Sequence, residues 1–222
     1  MLLRNSGLIK VATDVANEVR LNIDGRAADG GPSLPWVGMI AAMAGPGNHC
    51  DIGTLFGASA ITAALCKRRL SIPGNVYCID PYLPRDNIQT QTALAEEFKE
   101  GSPEILRRNV EKFGLVWDKD VILVQAKSDP WPLKDHMFSS GFIDGNHEGD
   151  APYRDCKNLE NSGCALIGFD NYEEGYPDVA KAVHKVLNEP DSKWMMFFKD
   201  TIFVALRRHL PPRHVGTPLE QT

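Results

Sequence analysis

An α/β domain, doubly wound around a mostly parallel sheet that ends in an antiparallel C-terminal hairpin, is predicted by three features of this 222-residue chain. Short apolar β-rich runs alternate with helical runs five times, the pattern of successive βα units with helices on both faces of a sheet. A strand, a glycine-bearing turn and a helix opening follow one another without interruption across residues 48–60, Asn-His-Cys-Asp-Ile-Gly-Thr-Leu-Phe-Gly-Ala-Ser-Ala. Two strong β runs, residues 193–198 and 201–207, are separated only by Lys199 and Asp200, so the chain reverses there.

The individual elements follow from local signals. Leu8, Val11, Val15 and Val19 recur at close to helical period over residues 8–21. The polar, glycine-rich segment from Asp24 to Pro32 has the composition of a mobile lid, and Ser33 stands where it would cap a helix over residues 35–44 that stops at Gly45-Pro46. The first central strand is residues 49–52, and the helix after the glycine turn covers 58–69. Ser71-Ile-Pro-Gly74 breaks it before the second strand, 75–80, which ends in Asp80.

From Tyr82 to Gly101 the pattern lapses, a length unusual for a βα connection and typical of an active-site wall or a surface excursion. Ser102-Pro103-Glu104 opens a helix over 103–113, with Gly114 as its stop. Residues 120–125 form the third strand. The fourth is the short run 141–144, followed by a helix with Tyr153, Cys156 and Leu159 on one face. The fifth strand is 164–169, ending in Asp170-Asn171, and Pro177 opens the helix that runs to Leu187. This divides the chain into an N-terminal helix and lid segment (1–35), one folded domain (36–208) and a frayed tail (209–222).

Composition narrows the class. Hydrophobic residues at 43% and charged residues at 24% match an ordinary globular domain with material for one core. A net charge of −5 offers no clustered basic surface for nucleic acid, and the densest basic run, Lys67-Arg68-Arg69, lies in a last helical turn, where cations complement the dipole. The five cysteines, 50, 66, 78, 156 and 164, contain no C-x-x-C pair and read as reduced, small apolar residues of an intracellular, cytoplasmic protein. Met1-Leu-Leu-Arg4 turns polar at once, unlike a secretory leader, and no run approaches the length of a membrane span.

Ligands of doubly wound sheets sit at the carboxyl ends of the strands, and Asp51, Asp80, Asp144, Asp170 and Asn171 all fall there. Gly53 and Gly57 let the backbone turn tightly and approach a ligand, but G-x-x-x-G is neither the dinucleotide fingerprint nor a P-loop. Asp80, at the tip of the second strand, is placed for ribose hydroxyls, with a solvated strand-end acid as the alternative. Carboxylates gathered at one edge repel unless a cation is shared. Hard oxygen ligands without paired cysteine or imidazole favour Mg²⁺, Ca²⁺ or Mn²⁺ over zinc, with Asp144, Asp170 and Asn171 as the candidate ligands.

Taken together, Asp51-Ile-Gly-Thr-Leu-Phe-Gly-Ala-Ser59, Tyr77-Cys-Ile-Asp80, Phe142-Ile-Asp-Gly-Asn-His147 and Phe169-Asp-Asn-Tyr172 resemble the class I S-adenosylmethionine-dependent methyltransferases. The likeness extends over residues 36–207 and is nearest to the metal-dependent O-methyltransferases of the catechol, caffeoyl-CoA and macrolide-sugar types. It implies a seven-stranded Rossmann-like fold, adenosylmethionine as cofactor, and a divalent metal, Mg²⁺ by preference. Asp51, Gly53 and Ser59 then lie near the methionine end and Asp80 at the ribose, with Thr54, Gly57 and Ser128 completing the cofactor set. Asp144, Asp170 and Asn171 hold the metal, the separation of 26 residues (170 − 144) matching the caffeoyl-CoA type.

Asp144-x-x-His147 resembles the sugar-type arrangement in which the histidine is general base, with Asp144 beside it in the catalytic pair; a loop histidine bonded to its neighbours is the alternative. Glu148 and Asp150 would raise its pKa and a bound cation would lower it. Two departures stand out: Gly163-Cys164 replaces the usual Gly-Gly, and the catechol-type lysine base has no counterpart. The implied acceptor is a small molecule with vicinal oxygens, a catechol, phenol or sugar diol, with no nucleic-acid or membrane partner and a homo-oligomer left open. A nucleotide-binding oxidoreductase of doubly wound fold and a non-catalytic adenosylmethionine-binding protein are the competing classes.

Overall fold

The computed structural model describes residues 2–25, 31–82, 102–173 and 175–209. Its strands are β1 (Asn48–Ile52), β2 (Val76–Ile79), β3 (Val121–Val124), β4 (Phe138–Ile143), β5 (Leu166–Phe169), β6 (Trp194–Lys199) and β7 (Val204–Arg208). They form one sheet in the order β3-β2-β1-β4-β5-β7-β6. All pairings are parallel except those of β7, which runs antiparallel to both β5 and β6, so one strand is reversed as the terminal hairpin predicts. In β5 every residue is buried, the continuous apolar run of a strand covered on both faces.

The helices are α1 (Leu2–Asn22), α2 (Leu34–Met43), α3 (Ala58–Arg69), α4 (Pro103–Lys112), α5 (Ala151–Asn161) and α6 (Pro177–Leu187). Val15 and Val19 of α1, Val37 of α2, Ile61 and Leu65 of α3, and Leu106 and Val110 of α4 share one apolar cluster. Cys156 and Leu159 of α5 and Val179 and Val183 of α6 build a second with Cys50, Ile167 and Val204. All five cysteines are free and buried, the role of small apolar residues. Among the described residues no helix is long and apolar enough to cross a membrane.

Several boundaries differ from the sequence reading for identifiable reasons. Strand β4 begins at Phe138 rather than Gly141 because Ser140 is a core residue whose hydroxyl lies 2.8 Å from Nδ1 of buried His49. The β6–β7 connection is longer than two residues, since the Asp200 carboxylate accepts the amides of Ile202 and Phe203 at 2.9 and 2.7 Å and holds residues 201–203 out of the ladder. Helix α1 begins at Leu2, earlier than its apolar periodicity indicates. Most of the expected lid (26–30), nearly all of the 82–101 insertion (83–101) and the tail from 210 lie outside the described residues.

Packing against β5 is tight enough to test. A Cβ on Gly168 would stand 2.6 Å from Cζ of Phe203 and 2.9 Å from Cδ1 of Ile40. Gly168→Ala should therefore overpack the contact between sheet and α2 and cost about 1–3 kcal/mol. Urea unfolding followed by circular dichroism checks this, and an unchanged midpoint would show that the ring and α2 move aside freely.

Candidate active site

Strand register gathers the predicted residues. Ile52 is paired with Ile79 on one side and Ile143 on the other, and Ile143 with Phe169. The next residue of each strand therefore emerges at a common edge. The ladder continues into these residues: the amides of Gly53, Asp144 and Asp170 donate to the carbonyls of Ile79, Ile52 and Ile143 at 2.9, 2.9 and 3.0 Å.

On the β1–β2 side, a turn closed by the Gly57 amide donating to the Thr54 carbonyl at 2.8 Å leads into α3. Gly53 (φ 88°) and Gly57 (φ 93°) both adopt the left-handed conformation that favours glycine. Protein atoms crowd both positions. A Cβ on Gly53 would overlap the backbone carbonyl of Asp144, and one on Gly57 would overlap Cδ1 of Leu106 in α4.

Asp51 is fully buried. Its Oδ2 accepts the hydroxyls of Thr54 (3.0 Å) and Ser59 (2.8 Å), while its Oδ1 is buried with no hydrogen-bond partner among the described residues. Burial raises its pKa to about 7 against the pull of those hydroxyls. Such an orphaned acceptor fits a cationic donor such as a ligand ammonium group. At the β2 tip, Asp80 accepts the amides of Leu55 (2.9 Å) and Tyr82 (2.8 Å), one on each oxygen. Burial raises its pKa, opposed by these two bonds.

On the β4–β5 side, Asp144 and Asp170 stand close enough that the charge of the first acts on the second. Burial, then Asp144, pushes Asp170 up to about 8. Ser33 donates its hydroxyl to Oδ1 of Asp170. This corrects the expectation that Ser33 caps α2: its side chain makes no capping bond because it is spent on the strand tip. Asn171 follows in the left-handed conformation (φ 55°). Among the described residues no group of three or more His, Cys, Asp or Glu is arranged to hold a metal. The candidate ligand set is thus two acids and an amide, with a neighbouring imidazole.

That imidazole is His147. Its Nε2 lies 3.4 Å from Oδ1 of Asp144, and its ring packs 4.6 Å from that of Tyr176. Burial lowers its pKa, and the acids opposing this are Asp170 and Asp155 rather than the sequence neighbours Glu148 and Asp150. Asp150 pairs instead with Lys185 at 3.3 Å. Ser128 lies in the loop after β3, where its carbonyl accepts Nδ2 of Asn158 at 3.3 Å and its side chain hydrogen-bonds to Asp155. Asp155, buried in α5, is pushed up to about 6 by burial.

Ser33 and Tyr82, bonded to the strand-tip acids, and Asp155, bonded to Ser128, are additions to the candidate site that sequence reasoning missed. Ser33 carried the wrong signal, a helix cap. Asp155 carried one that was legible, an acid close to the apolar face marked by Cys156 and Leu159.

No family model matches the chain, and no curated protein matches it. Solved structures do. The SAH-bound methyltransferase PaMTH1 of Podospora anserina is 15% identical, with 90% of this chain and 95% of that one covered and a TM-score of 0.57. The O-methyltransferase of Bacillus cereus in complex with SAH is 16% identical over 91% of each chain, with a TM-score of 0.53. TomG, the O-methyltransferase of Streptomyces achromogenes involved in tomaymycin synthesis and solved with SAM, is 16% identical over 90% of this chain and 88% of that one, with a TM-score of 0.54. At these identities the likeness shows the fold, which is the Rossmann-like fold of class I methyltransferases.

A stability prediction follows from Asp170. Its folded value of about 8 exceeds its ordinary 3.8, so the folded state binds an extra proton between these limits. The associated stability is fully present below 3.8 and is lost as the pH rises through 8. Asp170→Asn should consequently raise Tm above pH 8, by about 2–4 °C for each kcal/mol recovered, and leave it nearly unchanged near pH 3.8. Scanning calorimetry at both pH values decides it; a lower Tm for the variant at high pH would mean that the charged form is the better accommodated one.

Proposed function

We propose that this protein is an S-adenosylmethionine-dependent O-methyltransferase that transfers a methyl group, with divalent-metal assistance, to a hydroxyl of a small molecule bearing vicinal oxygens. The observation that carries the reading is the pairing of two acid sites across one sheet edge. Asp51 and Asp80 flank a left-handed turn at the start of α3, and Asp144 and Asp170 stand at the tips of the next two strands, β4 and β5, close enough for the charge of the first to act on the second. The O-methyltransferases among the structural neighbours support the chemistry by analogy.

In this reading the turn and the orphaned Oδ1 of Asp51 receive the methionine end of the cofactor, and Asp80 receives the ribose. Thr54 and Ser59 orient Asp51, and Ser128 completes the cofactor set. The like charges of half-buried Asp144 and buried Asp170 favour a shared cation, with Asn171 as a neutral third ligand of the hard-oxygen type that suits Mg²⁺. An ion held by Asp144, Asp170 and Asn171 would supply Lewis acidity that makes a substrate hydroxyl easier to deprotonate. His147, kept neutral at moderate pH by burial, accepts the hydroxyl proton as general base at Nε2, and Asp144 steadies the resulting imidazolium. The sulfonium donor is already activated, so the remaining demand on the protein is alignment of the two reactants.

The test is a substrate panel of catechols and sugar diols with adenosylmethionine, before and after exhaustive chelation. Methylation that EDTA abolishes and Mg²⁺ restores is the expected result. Full turnover after chelation would reduce Asp144, Asp170 and Asn171 to structural residues, and calorimetric binding of NAD in place of adenosylmethionine would return the oxidoreductase reading.

The base is tested separately. His147→Ala should lower kcat by about 10²–10⁴ while leaving cofactor affinity nearly intact. A near-normal kcat that keeps its acidic limb in the pH profile would take His147 out of the proton transfer.

A further inference from the structure

We propose that Tyr82 is a positioning residue for the cofactor turn, latching Leu55 and Asp80 into one hydrogen-bonded ring at the tips of β1 and β2. The inference rests on the reading that this turn and Asp80 hold adenosylmethionine. Three bonds make the ring: the Leu55 amide donates to Oδ2 of Asp80 at 2.9 Å, the Tyr82 amide donates to Oδ1 at 2.8 Å, and the Tyr82 hydroxyl donates to the Leu55 carbonyl at 2.6 Å. Leu55 is thus gripped at both its amide and its carbonyl, and it lies midway between Gly53 and Gly57.

The backbone explains why such a grip is needed. Leu55 (φ 48°) and Tyr82 (φ 45°) both stand in the left-handed region without being glycine. A branched and an aromatic residue rarely occupy that region, and such strain persists only where the surroundings over-determine it. Here the surroundings are the two residues themselves and the carboxylate between them. The Tyr82 ring packs against the main apolar cluster, so the hydroxyl is delivered from a fixed base. Burial, reinforced by the nearby charge of Asp80, raises the phenol pKa well above its ordinary value, so the group remains a donor across the working range.

A turn held in its strained form before the ligand arrives does not have to be ordered on binding, and affinity gains by that amount. Without the hydroxyl, Leu55 is free to relax toward negative φ, moving the peptide between the two glycines away from the ligand. Tyr82 touches no reacting atom in this scheme, so its loss acts on cofactor binding and leaves the chemical step alone.

Tyr82→Phe removes only the hydroxyl and keeps the ring and the amide. Hydrogen–deuterium exchange at the amides of residues 54–57 should quicken in the free variant and return to the wild-type rate when adenosylmethionine saturates it. Calorimetric Kd for adenosylmethionine should rise about 3- to 10-fold, the worth of one hydrogen bond, with kcat at saturating cofactor within about twofold of wild type. A fall in Tm with exchange and Kd both unchanged would assign Tyr82 to the core alone and overturn the proposal, as would faster exchange with unchanged affinity. Failure of the wild-type protein to bind adenosylmethionine would instead remove the functional reading, and the exchange measurement would still report whether Tyr82 holds the turn.

Discussion

Desolvated carboxylates at the carboxyl edge of the sheet set the conditions that the rest of the site obeys. Burial is the largest influence on Asp51, Asp80, Asp155 and Asp170, and it raises the pKa of all four. Each is held by named donors: Asp51 by Thr54 and Ser59 of the turn that follows it, Asp80 by Leu55 of that same turn and by Tyr82, Asp155 by Ser128, and Asp170 by Ser33. A buried charge must find donors or neutralise, so the acids dictate where these segments lie. Such perturbed acids make this edge the candidate functional site, and their cost at neutral pH falls on stability.

The fold was legible because its signals are local. Strand β5 is a continuous apolar run, α4 has Ser102 at its start with the hydroxyl accepting the Ile105 amide at 3.3 Å, and Gly114 follows its end at φ 66°. These are properties of a few adjacent residues, and they survive without knowledge of the fold. The acids of the site were legible for a related reason, since a strand end is a local feature and parallel register then brings the ends together.

What was not legible depends on contacts distant in sequence. Ser33 reads as a cap because a serine before an apolar helical run is a local signal, yet its hydroxyl is claimed by Asp170, 137 residues away. Ser140 looks like loop because it is polar, yet it lies in β4 paired with His49, 91 residues away. Tyr82 opens a stretch without pattern, and its role comes from Leu55, 27 residues earlier. In each case a polar side chain is committed by tertiary structure to a partner distant in sequence. Such commitments follow the requirement that buried donors and acceptors be paired, which sequence periodicity does not encode.

The tight contact between Gly53 and the Asp144 carbonyl joins the two halves of the edge. In the proposed chemistry one half carries the methyl donor and the other the acceptor, and transfer depends on their spacing and alignment, in which a displacement of about 1 Å can cost 10²-fold in rate. Loops packed side to side would leave that spacing soft. Here the β1 turn rests directly on the backbone of the β4 tip, and the amide of Asp144 donates to the Ile52 carbonyl at 2.9 Å. The absent side chain at position 53 therefore sets a distance between protein segments as much as it clears room for a ligand. A Cβ at this position would push the β4 tip outward and carry Asp144 with it, so the residue that shapes the cofactor turn also fixes where the acceptor acid stands.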